Sequence, residues 1–429
     1  MDRLGAVPGL AVAVYMRDGA YVRGFGVTDV ETGERADADT SFYIASSTKP
    51  LTALALAALH ERGEIDLDES LPSYAPDAPF PDTVRPDDVT FRHLLSHTGG
   101  VANGPLGFRL AFTGQHDAQT LWRLLASCTP NEDAPLGEFD YTNDGYDIAT
   151  VLSDRVLGVT WQDLLAREIF SPAGMVRSTA IMSHAQSAGW SIAKPHRIDA
   201  EGRMRRIYLE KTDRTMQSAG DVIMSANDAL RWLELMIERG CIGRRHVAPA
   251  GVIETTRAPL ADVGETLAEY AREQYGLGWY LSRYRDERLF HHFGGFAGAR
   301  AHVSYMLDRG VGVAAFVNDD TASFAFVDAI ANYVYDLTAN ATTLRNATTP
   351  RSTPSCAHAM NGCKTFRPIA STGQAGSGRS HVRCQPMAAS MRTRPGAAST
   401  WPPARGDRRA IRRAARKSRA VHPPRLDAP

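Results

Sequence analysis

The chain has 429 residues, 43% of them hydrophobic and 22% charged, with a formal net charge of zero. That length and composition exclude a small disulfide-stapled scaffold and a wholly disordered chain, and they allow a large core arranged in two lobes. The neutral total hides a split: residues 341–429 hold 17 of the 48 Lys and Arg but 2 of the 48 Asp and Glu, so 31 basic and 46 acidic residues remain in 1–340. An acidic body carries a basic tail.

The opening "GLAVAVYMR", the turn signal "DGA" and "YVRGFGVTD" predict a β-hairpin. Next comes "SSTKPLTALALAALHER", residues 46–62, an apolar helix that should end at Gly63. From about 75 to 240 the apolar period is mainly helical, in "FRHLLSH", "DAQTLWRLLASC", "GYDIATVLSDRVLG", "WQDLLAREIF" and "SANDALRWLELMIERG". Strands return with "YGLGWYLSRY", "RLFHHFG", "ARAHVSYML" and "GVGVAAFVN", and "ASFAFVDAIANYVYDL" closes the body as an amphipathic helix. The fold class expected is α+β. An antiparallel sheet flanked by helices is formed by about 1–75 and 240–340, an all-helical lobe by about 76–239, and a cleft lies between them.

After Asn340 the composition turns to Arg, Ala, Pro, Ser and Thr without aliphatic periodicity, which predicts a disordered tail over 341–429. A solvated tail is the first reading. A tether for nucleic acid or an acidic surface, suggested by "RGDRRAIRRAARKSR", and a shifted reading frame are the others. No run of 18 apolar residues predicts a membrane span, and "MDRLGAVPGLAVAV" has no signal-peptide pattern. As written the protein is expected to be cytoplasmic, and extracytoplasmic if its true start lies upstream. Five cysteines, three of them at 356, 363 and 384, suggest neither a disulfide framework nor a paired zinc site.

Lys49 is one of only five lysines, and it stands three residues after Ser46 among Ile44, Leu51, Leu54 and Leu56. Residues i and i+3 share a helix face, so the Ser46 hydroxyl and the Lys49 amine can meet across one turn. A serine hydroxyl becomes a nucleophile when an adjacent base takes its proton, and a lysine with a lowered pKa can be that base. Two further stretches stand later in the chain: "EFDYTNDGYDIA", with Tyr141-Thr142-Asn143, and "LFHHFGGFAGARAHVSY", with His292-Phe293-Gly294.

In this order and spacing the chain resembles the serine β-lactamase and penicillin-binding-protein superfamily, in its class C-like branch of β-lactamases, esterases and D-aminopeptidases. Matches to that family's pattern extend over residues 7–339, through "PGLAVAV", "GFGVTDVETG", "RHLLSHTGG", "IFSPAGM", "QSAG", "YGLGW" and "VNDD". The resemblance implies a β-lactamase/DD-peptidase-like fold, Ser46 as nucleophile, Lys49 as its proton partner and Tyr141 as a phenolate-like general base. That tyrosine needs cations nearby, here Lys49 and His292. Asn143 would hold Lys49 and the substrate, and His292, Gly294 and Gly295 would line the substrate strand. The N–H groups of Ser46 and Gly295 would form the oxyanion hole, each donor typically contributing about 3 kcal/mol. Glycines suit an edge strand that a substrate must approach closely. His291 falls on the opposite strand face as a structural residue, and His97 reads as a helix-end hydrogen-bonding residue.

Many relatives have Lys-Thr-Gly at the third motif, where lysine and the threonine hydroxyl bind a carboxylate. Here His292 and Phe293 stand in those places, with Arg300 available to compensate. The expected function is therefore a serine hydrolase of an ester or small amide, esterase first, D-amino-acid peptidase or amidase second, β-lactamase third. No cofactor or metal is required. A ligand sensor that acylates once is the reading from another class.

Overall fold

Leu10, Val12 and Val14 alternate with Ala11 and Ala13 along the first strand, and this period of two places large side chains on one sheet face and small ones on the other. In the computed structural model, which describes residues 7–321 and 324–346, that strand, β1 (Gly9–Met16), pairs with β2 (Gly19–Gly26) as the expected hairpin. The main sheet has six further strands: β3 (Ala261–Leu267), β4 (Tyr270–Tyr275), β5 (Tyr280–Tyr284), β6 (Glu287–Phe296), β7 (Ala299–Met306) and β8 (Val311–Val317). All eight are antiparallel, in the order β3-β4-β5-β6-β7-β8-β1-β2, so the two ends of the body join where β8 pairs with β1.

Helices cover both faces. The chain supplies, among others, α1 (Lys49–Glu61), α2 (Phe91–Leu95), α3 (Gly104–Phe108), α4 (Asp144–Leu157), α5 (Trp161–Leu165), α6 (Gln217–Gly220), α7 (Ala226–Ile237), α8 (Ala250–Arg257) and α9 (Phe324–Asn346), with further short helices between them. On one face Leu10, Val12, Val14, Ala315 and Val317 meet Val327 of α9. On the other, Ala11, Ala13, Ala314 and Phe316 join the large core that contains α7 and α1. The alanines let the α7 backbone come close to the sheet. Among the described residues no helix is long and apolar enough to cross a membrane.

α1 explains its own position. Leu51, Leu54, Leu56 and Leu59, with Ala53, Ala55 and Ala57, are buried around its whole circumference. A helix apolar on all sides belongs in a core, and each buried leucine contributes about 1.5–3 kcal/mol. Pro50 in its first turn lacks an N–H that the helix would leave unpaired, and Gly63, at φ +70°, supplies the left-handed exit.

Two differences from the sequence reading stand out. The β3–β4 hairpin was not expected, because "ADVGETL" and "YAREQY" have no apolar alternation; most of β3 is exposed at the sheet edge and its register breaks between Asp262 and Glu265. The last helix continues to Asn346, past the expected boundary at 340. The rest of the expected tail, with Cys356, Cys363 and Cys384, lies outside the described residues; Cys128 and Cys241 are buried and form no disulfide among the described residues.

Candidate active site

Ser46 sits in a 3₁₀ turn, Ala45–Thr48, that leads directly into α1. Ala45, immediately before it, has φ +45°, a left-handed conformation that costs an alanine of order 1–3 kcal/mol and recurs at functional sites. The turn places Ser46 and Lys49 on one side, as the i, i+3 spacing requires. Lys49 is fully buried and its Nζ donates to Ser46 Oγ at 3.2 Å, Asn143 Oδ1 at 2.7 Å and the Ala219 carbonyl at 2.9 Å.

Burial pushes the Lys49 amine down to about 7, against the opposing pull of the Asp147 carboxylate. Asp147, one turn into α4 and also buried, is pushed well above the usual carboxylate range by desolvation and by Asp144. Once Lys49 loses a proton, its two remaining N–H groups have acceptors in Asn143 Oδ1 and Ala219 O, neither of which can donate. The lone pair is then left for the Ser46 hydroxyl.

Tyr141 and Asn143 enter on the loop before α4. The Tyr141 ring lies with its centroid 5.0 Å from Lys49 Nζ, 4.5 Å from the His97 ring and 6.0 Å from the His292 ring. Its hydroxyl is buried and makes no hydrogen bond of good geometry; burial raises its pKa, while Ser46 and then Arg272 pull it down. His97, at φ +62° just after α2, accepts the Thr142 N–H on Nδ1 at 3.3 Å while its carbonyl accepts the Asp140 N–H. It therefore braces the Tyr141 loop from behind, and burial keeps it neutral.

The third motif forms the far wall. Strand β6 pairs with β5 from Glu287 to His291 and with β7 as far as Phe296. Residues 292–296 therefore have β7 as their only strand partner, so the glycine-bearing end is a sheet edge within an otherwise internal strand. Gly294 packs on the turn that carries Ser46: a Cβ there would lie 2.0 Å from the Ile44 carbonyl oxygen. His291 stacks on Tyr280 and accepts from Arg272 Nε at 3.4 Å, on the face away from Ser46.

His292 is fully buried, with Nδ1 on the Phe293 carbonyl at 2.7 Å and Nε2 on Tyr275 Oη at 3.2 Å. Burial and the Lys49 charge hold it well below its ordinary pKa, so it is a neutral wall residue and supplies no cation to Tyr141 or to a ligand. Arg300 donates to the carbonyls of Phe296, Ala299 and Asp320, which ties down the β6–β7 turn. It does not replace the missing lysine.

Arg272 escaped the sequence reading because its strand did. It is buried, pairs with Glu265 at 2.7 Å, and places its guanidinium 4.0 Å from the Tyr280 ring centroid and 5.0 Å from that of Phe293. Tyr280 in turn stacks on Tyr141 at 6.2 Å. The role of the α6 stretch "QSAG" was also hidden. Met216 and Gln217, at φ +61° and +34°, turn the chain so that Ala219 O meets Lys49 and Ser218 O accepts from Thr52 Oγ1 at 2.9 Å. The Thr52 hydroxyl receives the Trp161 indole N–H at 2.9 Å, which links α1, α5 and α6 beneath the site.

A family model described as Beta-lactamase matches residues 1–335. The chain is 24% identical over 348 residues to the unguisins hydrolase ungD of Aspergillus violaceofuscus, covering 75% of this chain but 60% of that relative's length. It is 25% identical over 330 residues to penicillin-binding protein 4 of Amycolatopsis lactamdurans, covering 75% of this chain and 84% of that one. Among solved structures, the octameric penicillin-binding protein homologue of Pyrococcus abyssi superposes with a TM-score of 0.65 at 23% identity, over 78% of this chain and 74% of its own. The D-amino acid amidase of Ochrobactrum anthropi SV3 does so at 0.63 and 18%, over 79% and 94%. At these identities the superpositions establish the common fold.

Proposed function

This chain belongs to the beta-lactamase family of serine hydrolases, and we propose that it cleaves an ester or small amide, esters first, through an acyl-enzyme on Ser46. The observation that carries the reading is the Lys49 amine, with a pKa near 7 and acceptors for two of its protons, so that its free valence faces Ser46 Oγ. Neutral Lys49 takes the hydroxyl proton as Oγ attacks the carbonyl. The oxygen then carries negative charge, which the Ser46 and Gly295 N–H groups are assigned to stabilise. Tyr141, kept protonated by burial, returns a proton to the leaving group, and Lys49 reprotonates it. Water attacks the acyl-enzyme by the same path reversed.

Esters are favoured by what stands at the third motif. Phe293 has no hydroxyl, His292 is neutral and Arg300 is engaged, so a substrate carboxylate finds no partner among these three. An ester also needs less help at the leaving group than an amide. The test is a burst of chromogenic short-chain ester hydrolysis with wild type and Ser46→Ala. Turnover that disappears in the variant, with an acyl adduct on the Ser46 peptide of wild type, supports the reading. Equal rates in both proteins refute it, and turnover of D-amino-acid amides without ester turnover moves the assignment to an amidase.

A further inference from the structure

We propose that Phe108, Phe112 and Phe296 form the recognition wall for a bulky apolar acyl group, so that the substrate is a medium-chain or aryl acyl compound; this rests on Ser46 being the nucleophile. Phe296 follows the Gly294-Gly295 edge directly, and its ring meets Tyr43, three residues before Ser46, at 5.6 Å. Phe112 stacks on Phe296 at 6.3 Å, and Phe108 lies 5.4 Å from Phe112. The result is a continuous aromatic path from the C-terminal end of β6 to solvent.

Phe108 and Phe112 are 63% and 53% exposed, and they are the only exposed phenylalanines among the described residues. Two such rings on one short segment, linked through Phe296 and Tyr43 to the stretch that leads into the Ser46 turn, mark a surface that something apolar covers. That segment is held firmly. Asn103 caps α3 by accepting the Leu106 N–H at 3.1 Å, and its own N–H donates to Asp144, the neighbour of Asn143, at 2.6 Å. The Leu110 carbonyl accepts the Met216 N–H at 2.8 Å, just before the turn that delivers Ala219 to Lys49. Phe112 is thus positioned by the same two strands of chain that position Asn143 and the Lys49 acceptor, and not by a free loop.

The adjoining cavity continues in the same chemistry, being lined by Tyr43, Met182, Leu209, Ile223 and Phe296, with Lys194, Glu210 and Lys211 on its polar side. Lys194 and Glu210 pair with each other at 3.0 Å and Lys211 with buried Asp221, so these charges are engaged within the protein. A hydrophobic pocket discriminates roughly tenfold or more per well-placed methylene, and a half-open wall less.

The experiment compares p-nitrophenyl acetate, butanoate and octanoate, each followed as acylation by intact mass at short times, with the adduct located on the Ser46 peptide after proteolysis. Wild type, Phe112→Ala and Phe108→Ala/Phe112→Ala are run together, and the octanoate-to-acetate ratio is read within each protein. Wild type is expected to prefer octanoate by roughly tenfold or more, and the double variant to fall to within about twofold of no preference. A ratio that the substitutions leave unchanged, or a wild-type preference for acetate, overturns the proposal. Absence of any adduct on Ser46 overturns the nucleophile assignment itself, and the acyl wall falls with it.

Discussion

Gly294→Ala tests how closely the substrate strand must lie on the nucleophile turn. The added Cβ would stand 2.0 Å from the Ile44 oxygen, 3.0 Å from the Ile44 carbon and 3.1 Å from the Ala301 Cβ. A carbon and an oxygen need roughly 3.2–3.5 Å, so strand and turn must separate by more than about 1 Å. The Ile44 oxygen is not free to retreat, since it accepts the Ser47 N–H at 3.1 Å within the turn that holds Ser46, and the Ile44 N–H is bound to the Val222 carbonyl at 3.1 Å. The strand end has β7 on one side only and is the part that yields. It carries Gly295 with it, away from Ser46. A displacement of about 1 Å costs on the order of 100-fold in rate, or about 2.7 kcal/mol of transition-state stabilisation, while overpacking costs about 1–3 kcal/mol of stability. The assay is the pre-steady-state burst with a short-chain ester beside a urea unfolding curve. A burst rate within threefold of wild type, at an unchanged urea midpoint, would refute the reasoning.

The rate of acylation should rise with pH through an apparent pKa near 7, since Lys49 is neutral, and able to accept the serine proton, above that value. Asp147→Asn removes the charge that opposes the shift, so this limb should move to lower pH; a move to higher pH in the measured profile would contradict the pairing. Lys211→Met should destabilise the fold by roughly 3–5 kcal/mol in urea denaturation, because it leaves Asp221 buried without its partner, and a loss below 1 kcal/mol would show that Asp221 is protonated in the fold. Arg272→Met should lower kcat several-fold with KM little changed, the mark of a residue acting through Tyr280 and Tyr141 and not on substrate. A rise in KM alone would place Arg272 against the ligand instead.

What could be read directly from the chain was whatever the backbone makes local. Ser46 and Lys49 come together because one helical turn spans three residues, and their buried setting is already written in the apolar neighbours of α1. The alternation in β1, β7 and β8 and the Gly63 stop are local in the same sense. Hairpin β3–β4 was not legible, because a polar edge strand and a solvated loop share a composition; with it went Arg272.

Tyr141, Asn143 and the glycine edge were found only through resemblance to a family, since nothing near them in sequence points at Ser46. Packing alone brings Asn143 across 94 positions to within 2.7 Å of Lys49 and Ala219 across 170 to 2.9 Å. Packing also decided charge. His292 is a potential cation as a letter in the sequence, but enclosed by Tyr141, Tyr275 and Phe293, with both ring nitrogens occupied, it is neutral. The same burial converts Lys49 from a surface-type ammonium into an amine that can take a proton at neutral pH. The sequence by itself determined which groups could react and which helix holds the first two. The tertiary structure decided their protonation, because desolvation depends on what surrounds a group and not on what adjoins it along the chain.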